Sequence, residues 1–101
     1  MLGVRYFAIT KDYAAANNLP VNQGALVYSS SGEAAVVSGS PAAKAGIRSG
    51  DIITKINNEA IAEGKSLLGI LYKYKPGDVI SITYIRDKAT KTVRITLAES
   101  K

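Results

Sequence analysis

The 101-residue chain contains no cysteine, no histidine and no tryptophan, and only one phenylalanine, one methionine and three prolines. Without cysteine there is no disulfide, no zinc–thiolate site and no thiol nucleophile. Without histidine the commonest general base and the commonest metal ligand are both missing, so this chain alone cannot assemble a Ser-His-Asp hydrolase. Long apolar runs are lacking too: none approaches the roughly 20 residues of a membrane-spanning helix. The N-terminus does not show the charged-then-apolar pattern of a secretory signal. It opens directly on apolar Met1-Leu2-Gly3-Val4, from which we expect a domain cut from a longer protein. No Asp/Glu spacing suggests a metal site. Serine and lysine are present, but no motif supports a Ser-Lys dyad. No cofactor is expected.

What is present is ordinary for a folded domain: 47% hydrophobic and 21% charged residues, enough for one core. Thirteen Lys+Arg against eight Asp+Glu leave a formal charge of +5, an excess that can favour anionic partners. The basic residues are scattered, however, and only Lys73-Lys75 and Lys88-Lys91 approach clusters. They lack an aromatic stacking platform beyond Tyr72 and Tyr74, so nucleic-acid binding is not expected.

Local patterns predict the elements in order. Val4 to Ile9 is β-branched and aromatic and predicts a strand. Thr10 can cap a helix over Lys11 to Asn18, which Pro20 bars from extending. Gly24 to Ser30 predicts a second strand, Ser29 to Glu33 a loop, and Ala34 to Ser38 a short returning strand. Ser40-Pro41 suits a helix start and Gly46 its left-handed stop. Asp51 to Ile56 predicts a strand, Asn57-Asn58 a tight turn, and Ile61 an inward contact. Leu67, Leu68, Ile70, Leu71 and Tyr74 recur at helical spacing and predict the longest helix, Gly64 to Tyr74. Val79 to Arg86 and Thr92 to Leu97 predict a hairpin joined by a polar loop, 87–91. The carboxylates Asp51, Asp78 and Asp87 sit beside turn residues and are assigned to turn stabilisation.

Three segments in this order resemble a PDZ domain of the HtrA/Deg serine protease type. They are Leu2-Gly3-Val4-Arg5-Tyr6; the block Ser40-Pro41-Ala42-Ala43-Lys44-Ala45-Gly46-Ile47 with Ser49-Gly50-Asp51-Ile52-Ile53 and Ile56-Asn57; and Leu67 to Tyr74 with Lys75-Pro76-Gly77-Asp78 and Arg86-Asp87. The segment Asn18 to Val21 with Gly24 to Val27 fits the bacterial branch. The middle block also occurs in other protease-linked PDZ domains, so a PDZ domain of another membrane-associated or processing protease is the near alternative. The chain departs from the pattern at Met1, where the family usually carries an aromatic residue, and over Ser29 to Ala35, which reads as an insertion able to contact another subunit or domain.

The resemblance implies an α+β fold: a five- to six-stranded, partly closed antiparallel sandwich or barrel with one long and one or two short helices, spanning residues 1–101 as a single domain. It implies a non-catalytic binding module. The backbone N–H groups of Leu2, Gly3 and Val4 would hold a peptide carboxylate, and Arg5, Tyr6, Gly64, Leu68 and Leu71 would line the peptide groove. Gly64, Leu68 and Leu71 would form one stripe of a helix, with Leu67, Ile70 and Tyr74 on the core side. An uncharged pocket favours an apolar terminal residue. Gly64 has no imidazole, so a Ser/Thr preference two residues earlier is not expected.

The implied partners are C-terminal or unfolded apolar peptides and an upstream trypsin-like serine protease domain, with a homo-oligomeric parent and no direct membrane insertion. The implied location is extracytoplasmic, in the bacterial periplasm or at the cell surface, in the service of protein quality control. The alternative role is a structural docking domain with no accessible groove.

Overall fold

A computed structural model describes residues 2–30, 32–62 and 64–98. Met1, where the family pattern is broken, and Ser31, inside the inserted segment, lie outside the described residues. The elements run β1 (Tyr6–Ala8), α1 (Lys11–Ala16), β2 (Ala25–Val27), α2 (Pro41–Ala45), β3 (Ile52–Ile56), β4 (Glu59–Ala60), α3 (Leu67–Leu71), β5 (Val79–Arg86) and β6 (Ala89–Thr96). All pairings are antiparallel, in the order β1-β2-β3-β5-β6 with β4 added to β3. The expected α+β class and strand number hold. The sheet, expected to be partly closed, is open: β1 and β6 stand at opposite ends of its order and do not pair.

Two apolar clusters explain how the layers hold. Val27, Ile53, Ile56, Ile80, Ile82 and Ile95 from the strands join Ala42 of α2 and Leu67 and Ile70 of α3 in the main core. On the sheet's other face Ile9, Ile52 and Ile85 pack beneath Ala14 of α1. Phe7 projects to that outer side and meets Tyr13 and Tyr28 edge-on, at 5.0 and 5.7 Å between ring centres.

Each helix starts at a residue suited to the task. Thr10 accepts from the Tyr13 N–H, Ser40 from Ala43 and Ser66 from Gly69, each satisfying a donor that has no partner within its helix. Pro41 occupies the first position of α2, and Gly46 ends it in the left-handed region at φ 89°.

The expected long helix is much shorter, Leu67–Leu71, because the capping serine stands at 66 and Gly64 has φ 81°. Gly64 belongs instead to a turn closed by paired hydrogen bonds between Ala62 and Lys65. The segment 34–38 forms only a single bridge, Val4 to Val36. β4 follows the Asn57-Asn58 turn, and Ile61 is buried as expected.

The last hairpin is tighter than a five-residue loop. Asp87 and Lys88 both take positive φ, at 51° and 67°, so Arg86 pairs directly with Ala89. Two such residues match the twist of the flanking strands. Lysine is unusual there, which is why composition alone suggested a longer connection.

Candidate functional site

The site begins with the backbone of the first strand. Arg5 N–H donates to Ala35 O and Arg5 O accepts from Tyr28 N–H, while Ile9 N–H donates to Gly24 O. In a strand, the N–H and C=O of one residue point to the same side and alternate from residue to residue. The odd-numbered residues therefore spend their backbone groups on β2 and its neighbours. Those of Val4, Tyr6 and Ala8 point to the opposite edge, which no strand covers among the described residues. An uncovered row of donors and acceptors is a template for another strand.

Directly upstream the chain turns at Gly3, where φ is 91°. Leu2 O accepts from Ala42 N–H at 3.0 Å and Gly3 O from Val37 N–H at 2.8 Å, so the turn is fastened to α2 and to the segment before it. Among the described residues, no hydrogen bond uses the N–H of Leu2, Gly3 or Val4. The carbonyls of Leu2 and Gly3 are occupied and the N–H groups are left over, an arrangement suited to an anion. Gly3 has a second reason to be glycine: a Cβ built on it would overlap Ser40 Cβ, at the cap of α2.

Around this edge the side chains expected in the groove divide. Leu2 is buried in the main core, so only its backbone can face a ligand. Val4 and Tyr6 are half-buried and pack against that core, on the face that meets α3. On α3, Leu67 and Ile70 are buried, as expected for its core side. Leu68 is 57% exposed, while Leu71 is half-buried against the core.

Two of the expected groove residues are placed apart from the others. Arg5 alternates away from Val4 and Tyr6, and its guanidinium donates to Ala34 O at 2.6 Å and pairs with Glu33. It braces the inserted segment instead of facing α3. Gly64 is not on a helical stripe with Leu68 and Leu71, because the helix begins after it. It lines a recess of about 670 Å³ beside Tyr6, Ala8 and Ser66.

The Tyr6 hydroxyl accepts a hydrogen bond from the Leu68 N–H at 3.1 Å, linking β1 to the first turn of α3. Sequence reading named both residues but not the link between them, since 62 positions separate them. Ser66 was missed as a site-forming residue. Its signal was a serine immediately before two leucines, a helix-start pattern.

Ion pairs frame the groove without entering it. Glu59 accepts from Lys73 Nζ at 2.6 and 2.8 Å and lies 3.7 Å from Lys65, tying β4 to both flanks of α3. The Lys73 hydrogen bond, with smaller help from the two lysine charges, outweighs burial and lowers the Glu59 pKa below the usual carboxylate value. Asp51, expected only to stabilise a turn, does accept from Arg48 N–H at 2.8 Å. It also takes a two-pronged contact from Arg86 at 2.7 and 2.8 Å, and that hydrogen bond raises the Arg86 pKa. Among the described residues no group of three or more acidic side chains could hold a metal ion.

Comparison with known proteins follows the same lines. A family model described as "PDZ domain" matches residues 1–97. The chain is 38% identical over 80 residues to a "Serine protease Do-like HtrA" of Lactococcus lactis, covering 79% of this chain and 18% of that protein. It is 33% identical over 97 residues to a "Probable periplasmic serine endoprotease DegP-like" of Brucella suis, covering 96% and 18%. Among solved structures, "HtrA-type protease AlgW with decapeptide" superposes with a TM-score of 0.79 at 26% identity, over 100% of this chain and 29% of that one. The chain thus spans about a fifth of the length of the relatives it matches. Its strand order, Gly3 turn, open β1 edge and matched family model together place it: the chain belongs to the PDZ domain family, of the kind found in HtrA-type serine proteases.

Proposed function

We propose that this chain is a non-catalytic module that binds the apolar C-terminal end of an unfolded polypeptide by adding it as a strand to β1. The observation that carries the reading is the conjunction of the open β1 edge with the unused N–H groups of Leu2, Gly3 and Val4 at its start. A peptide running antiparallel to β1 would bring its carboxylate to that turn. Its terminal side chain would enter between Val4 and the exposed Leu68 with Leu71, an uncharged pocket suited to Val, Leu, Ile, Ala or Phe.

The relatives are proteases several times longer than this chain, and some are named periplasmic. We assign the module accordingly to an attached serine protease domain in an extracytoplasmic, oligomeric parent, to which it delivers substrate. It regulates that parent only if a peptide binds its active and inactive states unequally.

The test is fluorescence anisotropy with an apolar-tailed peptide, as free acid and as C-terminal amide. A hydrogen bond to a charged group contributes about 1.5–3 kcal/mol. Converting the acid to the amide is therefore expected to weaken binding at least about tenfold. Equal binding of both forms would mean recognition of internal segments and end the carboxylate assignment. Binding of neither would favour a docking role.

A further inference from the structure

We infer that Arg5 is a positioning residue for the Leu2–Val4 turn, aiming the Val4 N–H through the segment 33–37; the inference rests on carboxylate binding at that turn. A peptide unit is planar and trans, so its C=O and the N–H that follows point in opposite directions. Whatever holds a carbonyl of the turn therefore aims the N–H that shares its plane. The Leu2 carbonyl shares a plane with the Gly3 N–H and is held by the Ala42 N–H of α2 at 3.0 Å. The Gly3 carbonyl shares one with the Val4 N–H and is held by the Val37 N–H at 2.8 Å. One donor is thus set by a helix and the next by the segment 33–37.

The two supports are built differently. α2 is capped by Ser40 and buries Pro41 and Ala42. The segment 33–37 meets the first strand through a single bridge, Val4 to Val36. That bridge consists of Arg5 N–H to Ala35 O, at 2.7 Å, and Val37 N–H to Gly3 O. Two hydrogen bonds are little to keep an extended segment in register. The Arg5 side chain adds two more ties just ahead of them: Nη1 donates to Ala34 O at 2.6 Å and Nη2 pairs with Glu33. Arg5 O also accepts from Tyr28 N–H at 2.9 Å. One residue therefore grips the chain at both ends of the inserted stretch.

Because this side chain alternates away from Val4 and Tyr6, it acts on the turn only along that path. A guanidinium fork reaches a carbonyl and a carboxylate at once, which the point charge of a lysine does less well. Without the fork, 33–37 is held by the bridge alone, Val37 releases Gly3 O more often, and the Val4 N–H loses its fixed direction. A donor that the ligand must first order binds it less well than one already aimed. The Gly3 N–H keeps its aim through α2, so the loss is partial.

The test compares the wild type with Arg5→Ala, Arg5→Lys and Glu33→Gln. Amide exchange of Val37 and Ala42 is followed by NMR in the peptide-free proteins. Affinity for an apolar-tailed peptide, as free acid and as C-terminal amide, is read by anisotropy. The peptide carries glycine next to its last residue, which leaves no side chain there to touch Arg5. In Arg5→Ala, Val37 is expected to exchange about fivefold faster with Ala42 unchanged, and the acid-over-amide preference to fall about fivefold. Arg5→Lys and Glu33→Gln should lie between wild type and Arg5→Ala in both readouts.

Unchanged Val37 exchange in Arg5→Ala overturns the inference, and so does equal acceleration of Val37 and Ala42, which means a general loosening of the fold. If Arg5→Ala does not fold, Arg5→Lys and Glu33→Gln decide by the same two readouts. A wild-type preference for the acid that the variants leave intact ends this inference alone. A wild type that binds acid and amide equally ends the carboxylate assignment and takes the inference along.

Discussion

Gly3 carries a demand of the fold and, in the proposed reading, one of the carboxylate turn. Its positive φ disfavours any side chain, and a Cβ would overlap Ser40 at the cap of α2. Gly3→Ala is expected to cost roughly 2–4 kcal/mol, measurable by urea denaturation, and to abolish free-acid preference in whatever fraction stays folded. Asp51 is the purely structural counterpart. It is 1% exposed and receives two prongs from Arg86, which also reaches Gly46 O. Asp51→Asn leaves Arg86 without its charge partner and is expected to destabilise by about 3 kcal/mol. Peptide affinity should be unchanged in the folded protein, because the pair lies away from the β1 edge. A loss of affinity without a loss of stability would contradict that division.

At the scale of elements, α3 carries a packing residue and a proposed peptide contact side by side. Leu67 is fully buried and Leu68 is largely exposed. Leu67→Ala is expected to lose about 2–5 kcal/mol of stability. Leu68→Ala should leave stability within about 0.5 kcal/mol and weaken peptide binding instead. Denaturation and anisotropy on the two variants check the contrast.

The tie between β4 and α3 adds a pH dependence. The Glu59 pKa is lowered in the folded state, chiefly by the Lys73 hydrogen bond. A lowered folded pKa stabilises above the unfolded value, and that gain disappears as pH falls through the folded one. Melting temperature should therefore drop on acidification below the ordinary glutamate range, and Glu59→Gln should reduce that drop.

The helix also shows where sequence reading stops. The 3–4 spacing of Leu67, Leu68, Ile70 and Leu71 was legible, and so was the inward side. The start was not, because the apolar spacing begins at Leu67 and leaves open whether Gly64, Lys65 and Ser66 precede it in the helix; the positive φ of Gly64 excludes that. Only the choice of Ser66 as cap settles it, and periodicity does not see capping.

For the whole molecule, the consequence of an open sheet is that the β1 edge is not used up by pairing with β6. A ligand that binds only the folded state stabilises it by mass action. Saturating acid peptide, at about 100 times its Kd, should add about 2.7 kcal/mol and raise the melting temperature, whereas the amide at the same concentration should do far less. Equal shifts would place the ligand somewhere other than the Leu2–Val4 turn.

The sequence by itself determined the order of the elements apart from β4 and the 34–38 segment, the caps at Thr10 and Ser40, the inward leucine and isoleucine of α3, and the family motifs from which the groove is proposed. These follow from local propensity and from residues a few positions apart, which a linear reading contains. Only the tertiary structure decided that Arg5 turns to Glu33 and Ala34, that Gly64 belongs to a turn, that Asp51 meets Arg86, and that Tyr6 meets Leu68. Each is a contact or backbone conformation chosen by packing between distant segments. A side chain's partner across the fold depends on strand register, sheet twist and helix position together, and no local pattern encodes that sum.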